Sequence, residues 1–250
     1  MLIKLSSLAI AVALFAMAAE HNTARVPVLV ELFTSEGCSS CPPADRLLEA
    51  LDQKQPVAGA ELIVLSEHVD YWDRLGWKDP FSSSKYTARQ QDYAERLKGD
   101  GGVYTPQMVV DGRFGFVGSD GSAAGTAIQK AMQEQKIPIQ ISNVERDGNQ
   151  VTARIDVPAG GRAQGVLYVA IADNRAESQV ARGENAGHTL AHVAVTRVLS
   201  EVGVVDTGAA SMKQISLKLP AGTPASGSRL VAFIQDARSG HILAAAAQKF

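Results

Sequence analysis

The chain has 250 residues, of which 46% are hydrophobic, and a formal net charge of −2 at pH 7. This slightly acidic balance argues against a nucleic-acid-binding surface. The length is sufficient for one large or two small hydrophobic cores, and the hydrophobic pattern changes near Pro138, so we predict two domains.

The N-terminus has the pattern of a secretory signal peptide. Lys4 is followed by the apolar stretch Leu8–Phe15 and by small residues around Ala16-Met17-Ala18, and we predict a signal peptide at residues 1–18. The apolar stretch is shorter than the roughly 20 residues of a transmembrane helix. We therefore expect a secreted or periplasmic protein with no stable membrane insertion after signal cleavage.

The next segment predicts alternating strands and helices. A buried strand at Val26–Phe33 is followed by a helix through Ala44–Leu51, whose first turn suits Pro42 and Pro43 because no N–H donor is needed there. The later predictions are a strand at Glu61–Ser66, a loop rich in large side chains at Glu67–Phe81, a helix at Ser82–Leu97, a hairpin at Val103–Phe116 turned at Asp111-Gly112, and a helix at Ser122–Gln135.

From Ile139 onward, apolar and polar residues alternate, which is typical of half-buried strands. Seven short strands with turn residues between them predict a β-sandwich. These strands are Pro138–Val144, Gln150–Val157, Gly165–Ala172, His192–Leu199, Met212–Leu219, Arg229–Asp236 and His241–Ala247.

A polar segment, Arg182–His192, lies between two of these strands. We predict a loop, whose polar side chains could contact the N-terminal domain or a ligand. They are Arg182, Glu184, Asn185, His188 and His192. His188 and His192 could share a metal ion only if this segment were helical.

The only two cysteines, Cys38 and Cys41, form a C-x-x-C motif between the first strand and the first helix. A helix start favours a thiolate at Cys38, and the second thiol can close a reversible disulfide. A zinc site is disfavoured because no second pair of ligands is present, and a purely structural disulfide would normally close a longer loop. We therefore favour redox chemistry.

Three segments carry a family resemblance: VELFTSEGCSSCPPAD, LSEHVDYWDRLGWKDPF and YTPQMVVDGRFGFVGSD. They resemble the signatures of an uncharacterised family of secreted bacterial proteins, a domain-of-unknown-function family of the thioredoxin-like superfamily. The resemblance covers most of residues 26–135. It implies an α/β thioredoxin-like domain, which we place at 25–136, and we expect an all-β sandwich-like C-terminal domain at 139–250.

The resemblance also implies two further site elements. Thioredoxin-like proteins carry a cis-proline in a loop that faces the C-x-x-C motif, and Thr105-Pro106 matches that position, so we expect both residues to bind substrate. Such proteins often carry a buried acid in the strand before the motif, and Glu31 could act there as a base for Cys41. Alternatively, Glu31 is a strand glutamate that faces solvent.

A second group of candidate residues follows the strand at Glu61–Ser66. His68 and Trp72 are predicted to contact substrate, because ligands bind beyond the carboxyl ends of strands in open α/β sheets. His68 with Asp70 could instead tune Cys38, or His68 could join the two thiolates in binding copper. The simpler alternative is a packed aromatic loop, which also contains Tyr71 and Trp77.

The sequence therefore predicts an exported thiol–disulfide oxidoreductase or thiol-based redox protein that uses Cys38 and Cys41. Its partners would be protein or small-molecule thiols and disulfides, and no cofactor, metal or nucleic acid is assigned. Because Ser39-Ser40 stands between the cysteines, the direction of electron flow stays open. The alternatives are a periplasmic soft-metal (copper) binding protein and a non-catalytic binding module of the thioredoxin-like type.

Overall fold

The computed structural model describes residues 25–97, 102–161, 164–224 and 226–250. The predicted signal peptide at 1–18 lies outside these residues. The first part of the chain forms β1 (Val26–Thr34), α1 (Pro42–Lys54), β2 (Ala60–His68), a short 3-10 helix (Asp73–Leu75), α2 (Ser84–Arg96), β3 (Gln107–Val110), β4 (Phe114–Val117) and α3 (Gly121–Ala131). The second part forms β5 (Gln140–Asp147), β6 (Gln150–Val157), β7 (Gln164–Gln179), β8 (Thr189–Asp206), β9 (Ser211–Lys218), β10 (Ser228–Asp236) and β11 (Ile242–Lys249).

The three predicted helices are present, with starts that follow from local chemistry. α1 begins with two prolines, which need no N–H partner in the first turn. The side chain of Ser83 caps α2, and the Asp120 carboxylate accepts hydrogen bonds from the first backbone N–H groups of α3. No helix in the described part of the chain is long and apolar enough to cross a membrane.

Eight strands form one mixed sheet in the order β11-β10-β7-β8-β2-β1-β3-β4. β1 pairs with β2 in parallel and with β3 in antiparallel fashion. β8 lies beside β2 in parallel, with Ser66 opposite Val195. The remaining strands form a three-stranded sheet in the order β5-β6-β9.

The prediction of an α/β thioredoxin-like domain followed by a β-sandwich is wrong. Four strands from the second half, β7, β8, β10 and β11, extend the sheet that β1–β4 begin, instead of forming a separate sandwich. The structure is mostly β, with three helices in the described ranges. Alternating polarity locates a strand and its buried face, but it does not specify the neighbouring strand.

The large sheet has a hydrophobic core on each face. Leu167, Val169 and Ile171 of β7 pack toward the three-stranded sheet, whereas Ala170 and Ala172 belong to the core beneath the helices. This division follows from the two-residue period of a strand. The core beneath the helices includes Val28, Val30 and Leu32 of β1, Leu48 of α1, and Ala127 and Ile128 of α3.

Candidate redox site

Cys38 and Cys41 form a disulfide in the connection between β1 and α1. Both cysteines are fully buried, whereas Ser39 and Ser40 between them are exposed. The Cys41 carbonyl accepts hydrogen bonds from the backbone N–H groups of Ala44 and Asp45. The disulfide is therefore fixed at the start of α1, where the helix dipole favours negative charge.

Trp72 connects this motif to the loop before β3. A Cβ atom on Gly37 would lie 3.2 Å from Trp72 Cβ, so the tryptophan packs directly against the residue before Cys38. Its indole Nε1 donates a hydrogen bond to the Thr105 hydroxyl at 2.8 Å. Trp72 thus contacts both the segment that carries the C-x-x-C motif and the Thr105-Pro106 loop.

The Thr105–Pro106 peptide bond is cis, in agreement with the isomer implied by the resemblance. The Pro106 carbonyl accepts a hydrogen bond from Gly118 N–H at 2.9 Å. A Cβ atom on Gly118 would lie 3.1 Å from Pro106 Cβ and 3.2 Å from Ala44 Cβ. Pro106 therefore lies close to the start of α1, on the same side of the sheet as the motif.

The loop between β7 and β8, residues 180–188, lies against the C-x-x-C motif. The Asn185 amide donates hydrogen bonds to the carbonyl oxygens of Glu36 (2.8 Å) and Cys38 (3.0 Å). The Glu184 carboxylate accepts a hydrogen bond from the backbone N–H of Ser39 at 2.9 Å. The predicted contact between this polar segment and the N-terminal part of the chain is confirmed.

Glu36, two residues before Cys38, is fully buried below the motif. Its carboxylate accepts hydrogen bonds from Trp77 Nε1 at 2.8 Å and from the Ser178 hydroxyl. Its backbone N–H donates to Asp79 Oδ2 at 2.8 Å. Because a buried carboxylate is costly without partners, these contacts hold the segment before Cys38 in one conformation.

His68 lies on the other side of Asp79. His68 Nδ1 is 2.7 Å from Asp79 Oδ2, and both side chains are fully buried. Burial alone would raise the pKa of Asp79, but the charge and hydrogen bond of His68, with backbone N–H groups of Glu36 and Phe81, lower it below its usual value. His68 is therefore held within the protein by an ionised carboxylate.

His192 completes this buried cluster. Its ring lies 4.7 Å from the His68 ring, centroid to centroid. His192 Nε2 is 3.6 Å from Glu36 Oε1, and Nδ1 is 3.6 Å from Asp45 Oδ1, in the first turn of α1. Burial lowers the pKa of His192, but the neighbouring carboxylates of Asp45 and Glu36 outweigh burial and raise it to about 10. The imidazole of His192 thus lies between the two acids that flank the motif in sequence.

Glu31 belongs to a different cluster. Its buried carboxylate accepts hydrogen bonds from Arg89 Nε (2.5 Å) and the Tyr93 hydroxyl (2.5 Å). Glu67 Oε1 lies 3.7 Å from Arg89 Nε. Burial, and then the neighbouring Glu31 carboxylate, raise the pKa of Glu67 well above its usual value. The alternative of a solvent-facing Glu31 is thus wrong, while its role as a base for Cys41 stays a prediction.

The structure brings most of the predicted site residues together. Trp72 links Cys38 to Thr105-Pro106, and His68 reaches the motif through Asp79 and the Glu36 backbone. Glu36, Asp45 and Asp79 were not identified as site residues from the sequence. The signal that could have found them was their position within the segments that carry the family resemblance. Among the residues that the structure describes, no three His, Cys, Asp or Glu side chains converge to bind a metal ion.

These features place the protein in the class of C-x-x-C proteins. Its disulfide lies beside a buried cluster of charged residues, on a mixed eight-stranded sheet. The chain matches the DUF1223 family, described as proteins of unknown function, over residues 29–235 and belongs to it. Its structure is similar to that of a structural-genomics target from Agrobacterium tumefaciens, with 29% identity and a TM-score of 0.66 over 90% of this chain and 95% of that chain.

Two other solved structures are much less similar. The sporulation control protein Spo0M of Bacillus subtilis has 14% identity and a TM-score of 0.32, over 46% of this chain and 47% of that chain. The E. coli curli protein CsgC has 15% identity and a TM-score of 0.21, over 44% of this chain and 97% of that chain. Similarity at this level carries no functional argument. Comparison with curated proteins gives no significant match.

Proposed function

We propose that this protein is an exported thiol–disulfide oxidoreductase in which Cys38 and Cys41 alternate between a disulfide and a dithiol. The observation that carries this proposal is the closed pair at the start of α1. The disulfide spans two intervening residues, so it restricts the unfolded chain only slightly and is a poor structural crosslink. Exchange chemistry accounts for this position better than stabilisation does.

Cys38 is the nucleophile in this mechanism. The positive end of the helix dipole at the start of α1 stabilises its thiolate. The thiolate attacks a substrate disulfide and forms a mixed disulfide, while one substrate sulfur leaves as a thiolate. The Cys41 thiolate then attacks Cys38 Sγ, which restores the internal disulfide and releases the second substrate sulfur. The reverse sequence oxidises a substrate dithiol.

The partners are protein or small-molecule thiols and disulfides. Trp72 supports the Thr105-Pro106 loop next to the motif, and the backbone of that loop is the proposed docking point for an extended substrate. The signal-peptide pattern at residues 1–18 supports a secreted or periplasmic location, a compartment in which disulfides persist.

The test is an equilibration of purified mature protein in glutathione or dithiothreitol buffers, with free thiols counted at each ratio. We expect a reduction potential between about −120 and −270 mV, the range of working oxidoreductases. A potential well below about −300 mV, or a pair that does not equilibrate, would indicate a structural disulfide and contradict the proposal.

Two variants test the roles of the cysteines separately. Cys38→Ser should abolish turnover of a peptide disulfide, because the attacking thiolate is lost. Cys41→Ser should accumulate mixed disulfides detectable by mass spectrometry, because the resolving thiol is lost. Absence of both effects would remove the enzymatic role.

A further inference from the structure

We infer that the β7–β8 loop, residues 180–188, is a redox-linked cap: it stays on the motif while Cys38 and Cys41 form a disulfide, and a Cys38 thiolate displaces it through Glu184. The inference rests on the proposed function in one respect: it takes from it that the disulfide can be reduced to a dithiol and that Cys38 then forms a thiolate. Two residues of the loop, Asn185 and Glu184, contact the motif, and they do so through different interactions.

Asn185 binds the motif through neutral hydrogen bonds. It is buried, and its amide group donates to the carbonyl oxygens of Glu36 and Cys38. This contact holds the loop against the backbone of Cys38, and Cys38 is fully buried in the disulfide form. A partner cannot reach a sulfur with no exposed surface, so the reaction requires a movement of neighbouring residues.

Glu184 binds the motif through charge. Its carboxylate accepts the backbone N–H of Ser39, the residue after Cys38. Hydrogen bonding from Ser39 lowers the pKa of Glu184 below its usual value, so the carboxylate is ionised at neutral pH. The dipole at the start of a helix also favours a cysteine thiolate. A Cys38 thiolate and the Glu184 carboxylate bound at the next residue, Ser39, are therefore like charges that repel each other.

The disulfide form has no such conflict. The two bonded sulfurs are neutral, so they do not repel the Glu184 carboxylate that accepts the Ser39 N–H group. Reduction by tris(2-carboxyethyl)phosphine breaks the Sγ–Sγ bond with two electrons, and the phosphine takes the oxygen of water. The two protons of that water go to the sulfurs, and Cys38 then releases its proton to solvent. Reduction thus adds one negative charge beside Glu184.

The loop can lift without disrupting the strands on either side. Its ends are joined by hydrogen bonds from Val180 N–H to the His188 carbonyl (2.9 Å) and from Gly187 N–H to the Val180 carbonyl (2.8 Å). Besides the motif, the loop packs against Trp77, because a Cβ atom on Gly183 would lie 3.2 Å from Trp77 Cβ. It is a closed turn whose contacts include the motif and Trp77.

Trypsin cleavage after Arg182 can report whether the cap has lifted from the motif. Arg182 is an exposed loop residue that precedes Gly183, so trypsin can cleave the Arg182–Gly183 bond once the loop lifts and becomes extended. The full mature protein is reduced with the phosphine, which is then removed under nitrogen. Oxidised and reduced samples are digested at about pH 8, where a Cys38 thiolate is populated, and cleavage of this bond is followed by mass spectrometry.

We expect cleavage at Arg182 to be about tenfold faster in the reduced protein than in the oxidised protein. Glu184→Gln should remove this acceleration, because glutamine can still accept the Ser39 N–H but carries no charge. Glu177→Gln, an equal change in charge at an exposed β7 residue paired with Arg175, should behave like wild type. Cys38→Ser, which lacks both the disulfide and the thiolate, should stay as slow as the oxidised protein.

Equal cleavage of oxidised and reduced wild type would overturn the inference. So would an unchanged acceleration in Glu184→Gln, which decides the matter even if Cys38→Ser folds poorly. The phosphine reduces the disulfide irreversibly, so the result does not depend on the reduction potential of the pair. The proposed function is tested separately, by the glutathione equilibration and the cysteine variants, so the two failures are distinguishable.

Discussion

The indole Nε1 of Trp72 donates a hydrogen bond to the Thr105 hydroxyl at 2.8 Å. This contact joins the segment after β2 to the loop before β3, while the body of the indole packs against Gly37 beside the C-x-x-C motif. One side chain therefore sets the distance between the disulfide and the Thr105-Pro106 loop.

Trp72→Phe should weaken this connection. Phenylalanine keeps a ring against Gly37 but has no donor for Thr105, so we expect a loss of about 1 kcal/mol in the free energy of unfolding, measured in urea. Thr105→Val removes the acceptor. If the contact matters, the double variant should lose less than the sum of the two single losses, and strict additivity would show that the hydrogen bond contributes nothing.

Asn185→Asp should loosen the β7–β8 loop. The new carboxylate has no N–H to offer and faces the carbonyl oxygens of Glu36 and Cys38, so we expect a loss of about 2 kcal/mol in unfolding free energy and faster reduction of the disulfide by phosphine. Asn149→Asp, the same change in an exposed turn, is the matched control. A reduction rate equal to that of this control would contradict the prediction.

His192→Asn should change the pH dependence of stability. The pKa of His192 is raised in the folded protein from 6.5 to about 10, so its stabilising contribution is fully present below pH 6.5 and is lost as pH rises through about 10. We expect the variant to be less stable by about 3 kcal/mol at low pH, with the gap closing at alkaline pH.

The matched control for His192 is His188→Asn, an exposed histidine of the neighbouring loop. Unfolding free energies of wild type and both variants, measured in urea between pH 6 and about 10.5, give the comparison. A gap for His192→Asn that stays constant over this range would show that its ion pairs with Glu36 and Asp45 do not stabilise the fold.

Glu67→Gln should stabilise the protein at neutral pH. Burial and the Glu31 carboxylate raise the pKa of Glu67, so the folded state holds a proton that the unfolded state releases above about pH 4.5. Wild-type stability therefore falls as pH rises above that value, and glutamine removes this fall. We expect a gain of about 1 kcal/mol at pH 7. Glu61→Gln, at an exposed position of the same strand, should have no effect.

The sequence allowed the helices and the motif to be predicted because their signals are local. The two prolines, the capping residues Ser83 and Asp120, and the C-x-x-C spacing each act within one turn of the chain. The extent of β7 was missed because its second half, from Asn174 to Gln179, carries mostly polar residues. Those residues pair with β8 and lead to the loop at the motif.

The buried charged cluster was not predictable from local patterns. Glu36 and Asp79 stand in polar segments, where a carboxylate normally faces solvent. The Glu36 carboxylate lies against His192, which the chain supplies far downstream from β8. The position of β8 beside β2 creates this contact, and strand order is not encoded in the alternation of polar and apolar residues.

The parallel contact between β2 and β8 also affects how the chain can be divided. β2 is almost entirely buried, and without β8 its outer backbone N–H and C=O groups around Ser66 would form an open sheet edge. A fragment that ends near residue 136 would present this apolar edge to other chains and tend to aggregate. During synthesis the same edge stays open until β8 is available, so the nascent protein is most prone to self-association in that interval.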